Sequence, residues 1–219
     1  MKKSGVIDLH THSLLSDGDL LPSELVRRAE EKGYSCVAIT DHVDMSNFEQ
    51  VIEQLLRVCP LLTKNTGIQV VPGIELTYIP PSLIPELVQK ARSAGAKLVL
   101  VHGESIVEPV LPGTNRAAIE SRVDILAHPG LITREDVKLA RENGVSLEIS
   151  GRKGHSFTNG HVAKLAEDIG AELVFGSDTH DPAELVTYER VRKVCHGAGL
   201  SEAGVDKLFE NARKLVEGL

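Results

Sequence analysis

The chain of 219 residues is predicted to fold as one α/β domain, a seven-stranded parallel barrel with its helices outside. Three observations carry that expectation. Short apolar runs alternate with segments of helical apolar spacing along the whole chain, the pattern of βα units. Seven such units are present, followed by one closing helix. Six of the nine histidines fall where a strand run ends, and in a parallel barrel those ends share one face. The reference barrel has eight strands, so seven units imply a smaller or distorted version, with an open doubly wound sheet as the alternative.

The elements follow in order. Strand one covers residues 6–12 and ends in His10-Thr11-His12. Pro22 opens a helix carrying Leu25, Val26 and Ala29 on one face and stopping at Gly33. Strand two, 36–42, also ends in a histidine. A helix over 47–64 bears Val51, Ile52, Leu55 and Leu56, and Pro60 is expected to kink or end it. Strand three, 68–79, is expected to break or bulge at Pro72-Gly73. A helix over 82–94 ends at Gly95. Strand four, 97–101, runs into His102, and a short helix follows near 115–121. Strand five, 124–127, runs into His128-Pro129-Gly130. Thr133 and Asp136 form a capping-box-like start to a helix that ends at Gly144. Strand six, 145–150, gives way to a loop holding Arg152, Lys153 and His155, and the helix beyond shows Val162, Leu165, Ala166 and Ile169. Strand seven, 173–177, ends in Asp178-Thr179-His180. Asp181-Pro182 is expected to open the next helix, and Ser201 caps the last.

Composition narrows the function classes. The chain is 42% hydrophobic and 25% charged, as in ordinary globular domains. No apolar run reaches the ~18 residues of a membrane span. Residues 1–5 lead directly into a strand, so a secretory leader is not expected, and the cytoplasm is the expected compartment. Cys36, Cys59 and Cys195 are odd in number and widely spaced, and read as reduced, buried small hydrophobes. A formal charge of -7, no Trp and only seven aromatics disfavour a nucleic-acid surface.

The chemistry is concentrated at the strand ends. His10 and His12, spaced i, i+2, point the same way from one strand. His42, His102, His128 and His180 end four others, with Asp17, Asp41, Glu75 and Asp178 at the same level. So many polar groups are too costly to bury dry. They suit transition metals, and they exceed the needs of one tetrahedral ion. Two to three divalent ions are therefore expected.

Asp8-Leu9-His10-Thr11-His12 with Ser16-Asp17-Gly18, then Ile39-Thr40-Asp41-His42, Gly73-Ile74-Glu75, His102, Ala127-His128-Pro129-Gly130 and Ser177-Asp178-Thr179-His180, together resemble the PHP (polymerase and histidinol phosphatase) family. The resemblance spans nearly the whole chain. It implies a distorted seven-stranded barrel and a trinuclear Zn, Mn or Fe centre that hydrolyses phosphate esters. It further implies that His10, His12, Glu75 and Asp178 hold a first metal, with Glu75 bridging to a second completed by His102 and His128. Asp17, His42 and His180 would hold a third. Some phosphatase members place a histidine where Asp17 stands, which bears on metal preference there. A bridging hydroxide would attack phosphorus, with Asp178 or a bound water protonating the leaving oxygen.

Substrate contacts are expected from Arg152 and Lys153 after strand six, Arg116 after strand four, and His155 in the same loop as Arg152. The alternative for each is an ordinary solvated or structural side chain. Asp8 and Asp41 are expected to orient imidazoles from behind. Glu104 has the right level and no required role. His161, Cys195 and His196 read as structural, and the loop 151–160 lacks the Gly-Lys-Ser/Thr of a phosphate loop. The leading function is hydrolysis of a small phosphomonoester, histidinol phosphate being one candidate, with phosphate as product. An amidohydrolase-like C–N hydrolase is the second reading, although such enzymes usually bridge their metals with a lysine. A non-catalytic barrel serving a nucleic-acid enzyme is the third.

Overall fold

In the computed structural model, which describes residues 5–217 and 219, the chain forms one nearly closed parallel barrel wrapped by helices. The N-terminal lead-in over residues 1–4 lies outside the described residues. The strands are β1 (Val6–Asp8), β2 (Tyr34–Ile39), β3 (His42–Val43), β4 (Gln69–Leu76), β5 (Leu98–His102), β6 (Ile125–Ala127), β7 (Ser146–Ser150) and β8 (Leu173–Gly176). The helices are α1 (Pro22–Glu31), α2 (Phe48–Asn65), α3 (Ile84–Ala94), α4 (Thr114–Glu120), α5 (Arg134–Asn143), α6 (Asn159–Ile169), α7 (Tyr188–Gly197) and α8 (Glu202–Val216).

The sheet order is β1-β2-β4-β5-β6-β7-β8, all parallel, with β3 continuing the line of β2 against β4. Strand alternation sorts side chains into two cores. Outward residues such as Val37, Ile39, Val99, Val101, Leu147 and Ile149 meet the helices in one large cluster. Inward residues Ile7, Cys36, Ala38, Val71, Leu98, Leu100, Ile125 and Val174 fill the barrel, which Ala212 and Val216 of α8 close at one end. The opposite end, where the strands finish, is free to carry chemistry. Among the described residues, no helix is long and apolar enough to cross a membrane.

Most helix boundaries obey local rules. Gly95, Gly144 and Gly170 take left-handed conformations that end α3, α5 and α6, and Thr133 Oγ1 accepts the Asp136 N–H that starts α5. Two expectations fail, and at Pro60 the structure excludes an end to the helix. Helix α2 continues through Pro60 to Asn65: Val51, Ile52, Leu55 and Cys59 bury one face before the proline and the partly buried Leu62 extends that contact beyond it, packing that offsets the ~3 kcal/mol of an internal proline. Strand β4 is unbroken at Pro72-Gly73. The interruption falls in its neighbour, where β2 stops at Ile39 opposite Pro72, which has no N–H to give. Asp181-Pro182 opens only a single 3-10 turn, Pro182–Glu184, and α7 starts later, at a Thr187 cap that accepts the Arg190 N–H.

Candidate metal centre

The barrel closes at its seam just where the first histidines emerge. Thr11 pairs with Thr179, the His12 N–H donates to the Thr179 carbonyl (2.9 Å) and the Asp178 N–H to the His10 carbonyl (2.9 Å). This pairing sets His10 and His12 beside Asp178 and His180. His10 Nε2 lies 3.3 Å from Glu75 Oε2, and His12 Nε2 lies 3.3 Å from Asp178 Oδ1 and 3.7 Å from Glu75 Oε2. The other Glu75 oxygen faces His102 Nδ1 and His128 Nε2, both at 3.4 Å. One carboxylate thus divides its two oxygens between two donor sets.

At the rim, Asp17 Oδ1 lies 3.2 Å from His180 Nε2 and 3.7 Å from His42 Nε2. His12, Asp17, His42 and His180 bring donor atoms close enough for one ion, as do His10, His12 and Glu75; His10, His128 and Asp178; and His42, Glu75 and His102. All nine ligand positions read from the sequence therefore meet at one mouth.

Burial and electrostatics fit metal ions. His10, His12, Glu75, His102, His128 and Asp178 are buried, and their side chains supply most of the buried N and O atoms without a hydrogen-bond partner among the described residues. Native proteins rarely leave such groups unsatisfied, since each costs about 1–3 kcal/mol, more if charged. Cations among them remove that cost. Burial drives the His12 imidazole down to about 3, so the ring is neutral at neutral pH and one of its nitrogens offers a free lone pair. Burial works against the charged form of Glu75, yet His10 and His42 hold its carboxyl well below the usual range. Burial opposes charge on His102 too, but Glu108 and Glu75 outweigh it and push the ring up to about 9.

The backbone is strained at the same place. Tyr78, His128 and Asp178 have φ of 54°, 25° and 56°, a region that few non-glycine residues occupy and that clusters at functional sites.

The mouth is a cavity of about 470 Å³ whose walls include Asp17, Tyr78, Glu108, Arg152, His155 and His180. Arg152 Nη1 donates to the Asp178 carbonyl (2.9 Å) and reaches Glu184 (3.2 Å). The His155 ring stacks on His128 with centroids 4.0 Å apart, and its Nδ1 shares a 2.6 Å bond with Ser105 Oγ. Lys153 turns away into a neighbouring cavity that it lines with Arg152 and Arg190. Arg116 is not brought to the mouth; its guanidinium pairs at 2.6 Å with Asp136 in the first turn of α5.

The two aspartates expected behind the imidazoles order backbone instead. Asp8 accepts the Ser177 N–H (2.9 Å) and the Tyr34 hydroxyl (3.1 Å), and burial pushes its carboxyl up to about 6. Asp41 accepts from the Ser13 N–H and from the Ser13 and Ser16 hydroxyls, fixing the loop that carries Asp17. Glu104 accepts the Gly113 and Asn115 N–H groups and so seats the start of α4. His161 and His196 bond backbone carbonyls away from the mouth.

Sequence reasoning passed over three residues. Tyr78 stacks on His102 and donates its hydroxyl to Glu108 (2.7 Å). Glu108 lies 2.9 Å from His102 Nε2. Glu148 accepts from His10 at 2.7 Å. Only Glu148 left a trace in the sequence, as a lone acid at an inward position of an otherwise apolar and small strand.

The fold and site define a parallel barrel whose strand ends gather a polyhistidine–carboxylate cluster that could hold metal ions. The family model for the PHP domain matches residues 8–138. The chain is 46% identical to an uncharacterized protein of Methanocaldococcus jannaschii, covering 89% of this chain and 90% of that one. It is 32% identical to ribonuclease P protein component 3 of Methanosarcina mazei (79% and 68% covered), and 26% identical to a probable phosphatase of Thermoanaerobacter (90% and 88%). A two-domain Bacteroides vulgatus protein containing a predicted PHP-like metal-dependent phosphoesterase shares the fold, with a TM-score of 0.51, 15% identity, and 96% and 64% covered. The chain belongs to the PHP domain family.

Proposed function

We propose that this protein is a metal-dependent phosphoesterase that hydrolyses a small phosphomonoester, in the manner of a histidinol phosphatase, with up to three Zn, Mn or Fe ions. The observation that carries the reading is Glu75, whose oxygens face two separate donor sets at 3.3–3.4 Å. His10, His12, Glu75 and Asp178 would hold one ion, Glu75, His102 and His128 a second, and Asp17, His42 and His180 a third. When bound, such ions acidify water and draw charge from phosphoryl oxygens.

The chain's own groups supply the rest. The Arg152 guanidinium stands at the mouth with donors suited to a phosphoryl group. Asp178 keeps its carboxyl ionised: burial opposes charge, but His10, His12 and His128 hold its pKa far below the usual range. That favours a ligand role over proton donation to the leaving oxygen. The cavity matches a small molecule in size.

Similarity to a ribonuclease P component supports a second reading, a barrel acting as a subunit of a nucleic-acid enzyme. The filled donor set favours catalysis. Elemental analysis of protein purified without chelator, with phosphate release from a panel of phosphomonoesters, tests this. Two to three metals per chain with turnover supports the phosphoesterase. Substoichiometric metal and no turnover after reloading with Mn or Zn supports the subunit.

A further inference from the structure

Glu148 projects into the barrel from β7, since its neighbours Leu147 and Ile149 pack in the outer core, and it is 1% exposed. Its two oxygens are committed to different partners. Oε1 takes the His10 Nδ1–H at 2.7 Å, and Oε2 takes the His128 backbone N–H at 2.7 Å. Space for the carboxylate is reserved by Gly176 of β8, where a Cβ would lie 1.8 Å from Glu148 Oε1. His10 belongs to the first donor set and His128 to the second, and His128 is held at a φ of 25°.

We infer that Glu148 is a positioning residue for both metal sites. A carboxylate only accepts, so it fixes the His10 proton on Nδ1 and leaves Nε2, the atom facing Glu75, free to bind metal. Through its other oxygen it holds the strained backbone that aims His128. Glutamine cannot reproduce this. If its carbonyl serves the His128 N–H, its amide group faces His10 Nδ1 and drives the ring proton onto Nε2. If it is flipped, the amide meets the His128 N–H. Aspartate is too short to span both partners. Carboxylates behind metal-binding imidazoles typically contribute 10–100-fold to metal affinity.

The inference rests on the metal reading of the site. Its test uses zinc itself. Zinc per chain and affinity against a chromogenic chelator are measured for wild type, Glu148→Gln, Glu148→Asp and Ser146→Ala, the last on the same strand and facing the same interior. Folding is checked by metal-free melting. Histidine ¹⁵N NMR of the zinc-loaded wild type reads the His10 proton directly, so the inference stays testable if a variant fails to fold. The expected result is zinc affinity about 10–100-fold lower in both Glu148 variants, unchanged in Ser146→Ala, with the wild-type His10 proton on Nδ1. A Glu148→Gln protein that binds zinc like wild type, or a His10 that binds through Nδ1, overturns the role of Glu148 alone. Wild-type protein that takes up no zinc overturns the metal reading with it.

Discussion

Thr11 and Thr179 pair across the barrel seam, and the residues flanking them are His10, His12, Asp178 and His180. Thr11 is itself anchored, its hydroxyl donating to the Ala38 carbonyl at 2.7 Å. Thr11→Val keeps the volume and leaves that buried carbonyl without a donor. Stability is expected to fall by about 1–3 kcal/mol, read from urea unfolding, together with weaker metal retention. An unchanged unfolding midpoint would show that the hydroxyl does not hold the seam.

Glu75→Gln removes charge from both donor sets at once. Metal content is expected to drop by more than one ion per chain, and phosphate release by on the order of 10²–10³-fold, the scale for losing one preorganised electrostatic group. Loss of a single ion by elemental analysis would assign Glu75 to one site only.

Stripping metal with a chelator is expected to lower the melting temperature, because a ligand bound only by the folded state stabilises it and Glu75 and Asp178 would again be buried among unsatisfied imidazoles. Returning Mn or Zn should restore both melting temperature and turnover. Calorimetry before and after reloading reads this, and an unmoved transition would contradict it.

The two arginines should separate cleanly. Arg152→Ala is expected to cut kcat/KM for a phosphomonoester about 10²-fold, the scale of a charge-assisted clamp of 1.5–3 kcal/mol. Arg116→Ala removes a partly exposed ion pair and should leave turnover intact while costing at most about 1 kcal/mol. Equal effects on kcat/KM would return Arg116 to the mouth.

Burial pushes the thiols of Cys36, Cys59 and Cys195 up from 9 to about 12. A raised folded-state pKa favours the protonated form, so this contribution is intact below about pH 9 and is lost as pH climbs toward 12. Native protein at pH 8 is therefore expected to react slowly with a thiol reagent, and all three thiols rapidly once unfolded. Fast labelling of the native state would show that one thiol is accessible.

The strand-end ligands were legible because each lies where an apolar run stops, and parallel topology delivers such ends to one face. Arg116 misled for the same reason: position after a strand says nothing about direction, and a carboxylate in the first turn of α5 captured it. Glu148 showed only as a lone acid in a strand, and its role stayed hidden because its partner His10 is 138 residues away. Glu108 was passed over because it sits in a loop with no strand end to mark it, although His102 is close in sequence. Asp181-Pro182 was misread because local preference is weak: the N-cap and first-position proline opened only a single 3-10 turn, whereas at Pro60 local preference left the choice between a kink and an end open, and the helix continues.

The seam between the first and last strands has a consequence for how the protein is made. His10 and His12 leave the ribosome early, while Asp178 and His180 follow only after more than 160 further residues. A chain that stops before Asp178 lacks one member of the first cluster. Only the sets that include Asp178 or His180 require the two ends of the fold to meet; a chain that ends before β8 would keep the His10–His12–Glu75 and His42–Glu75–His102 groups and lack the rest.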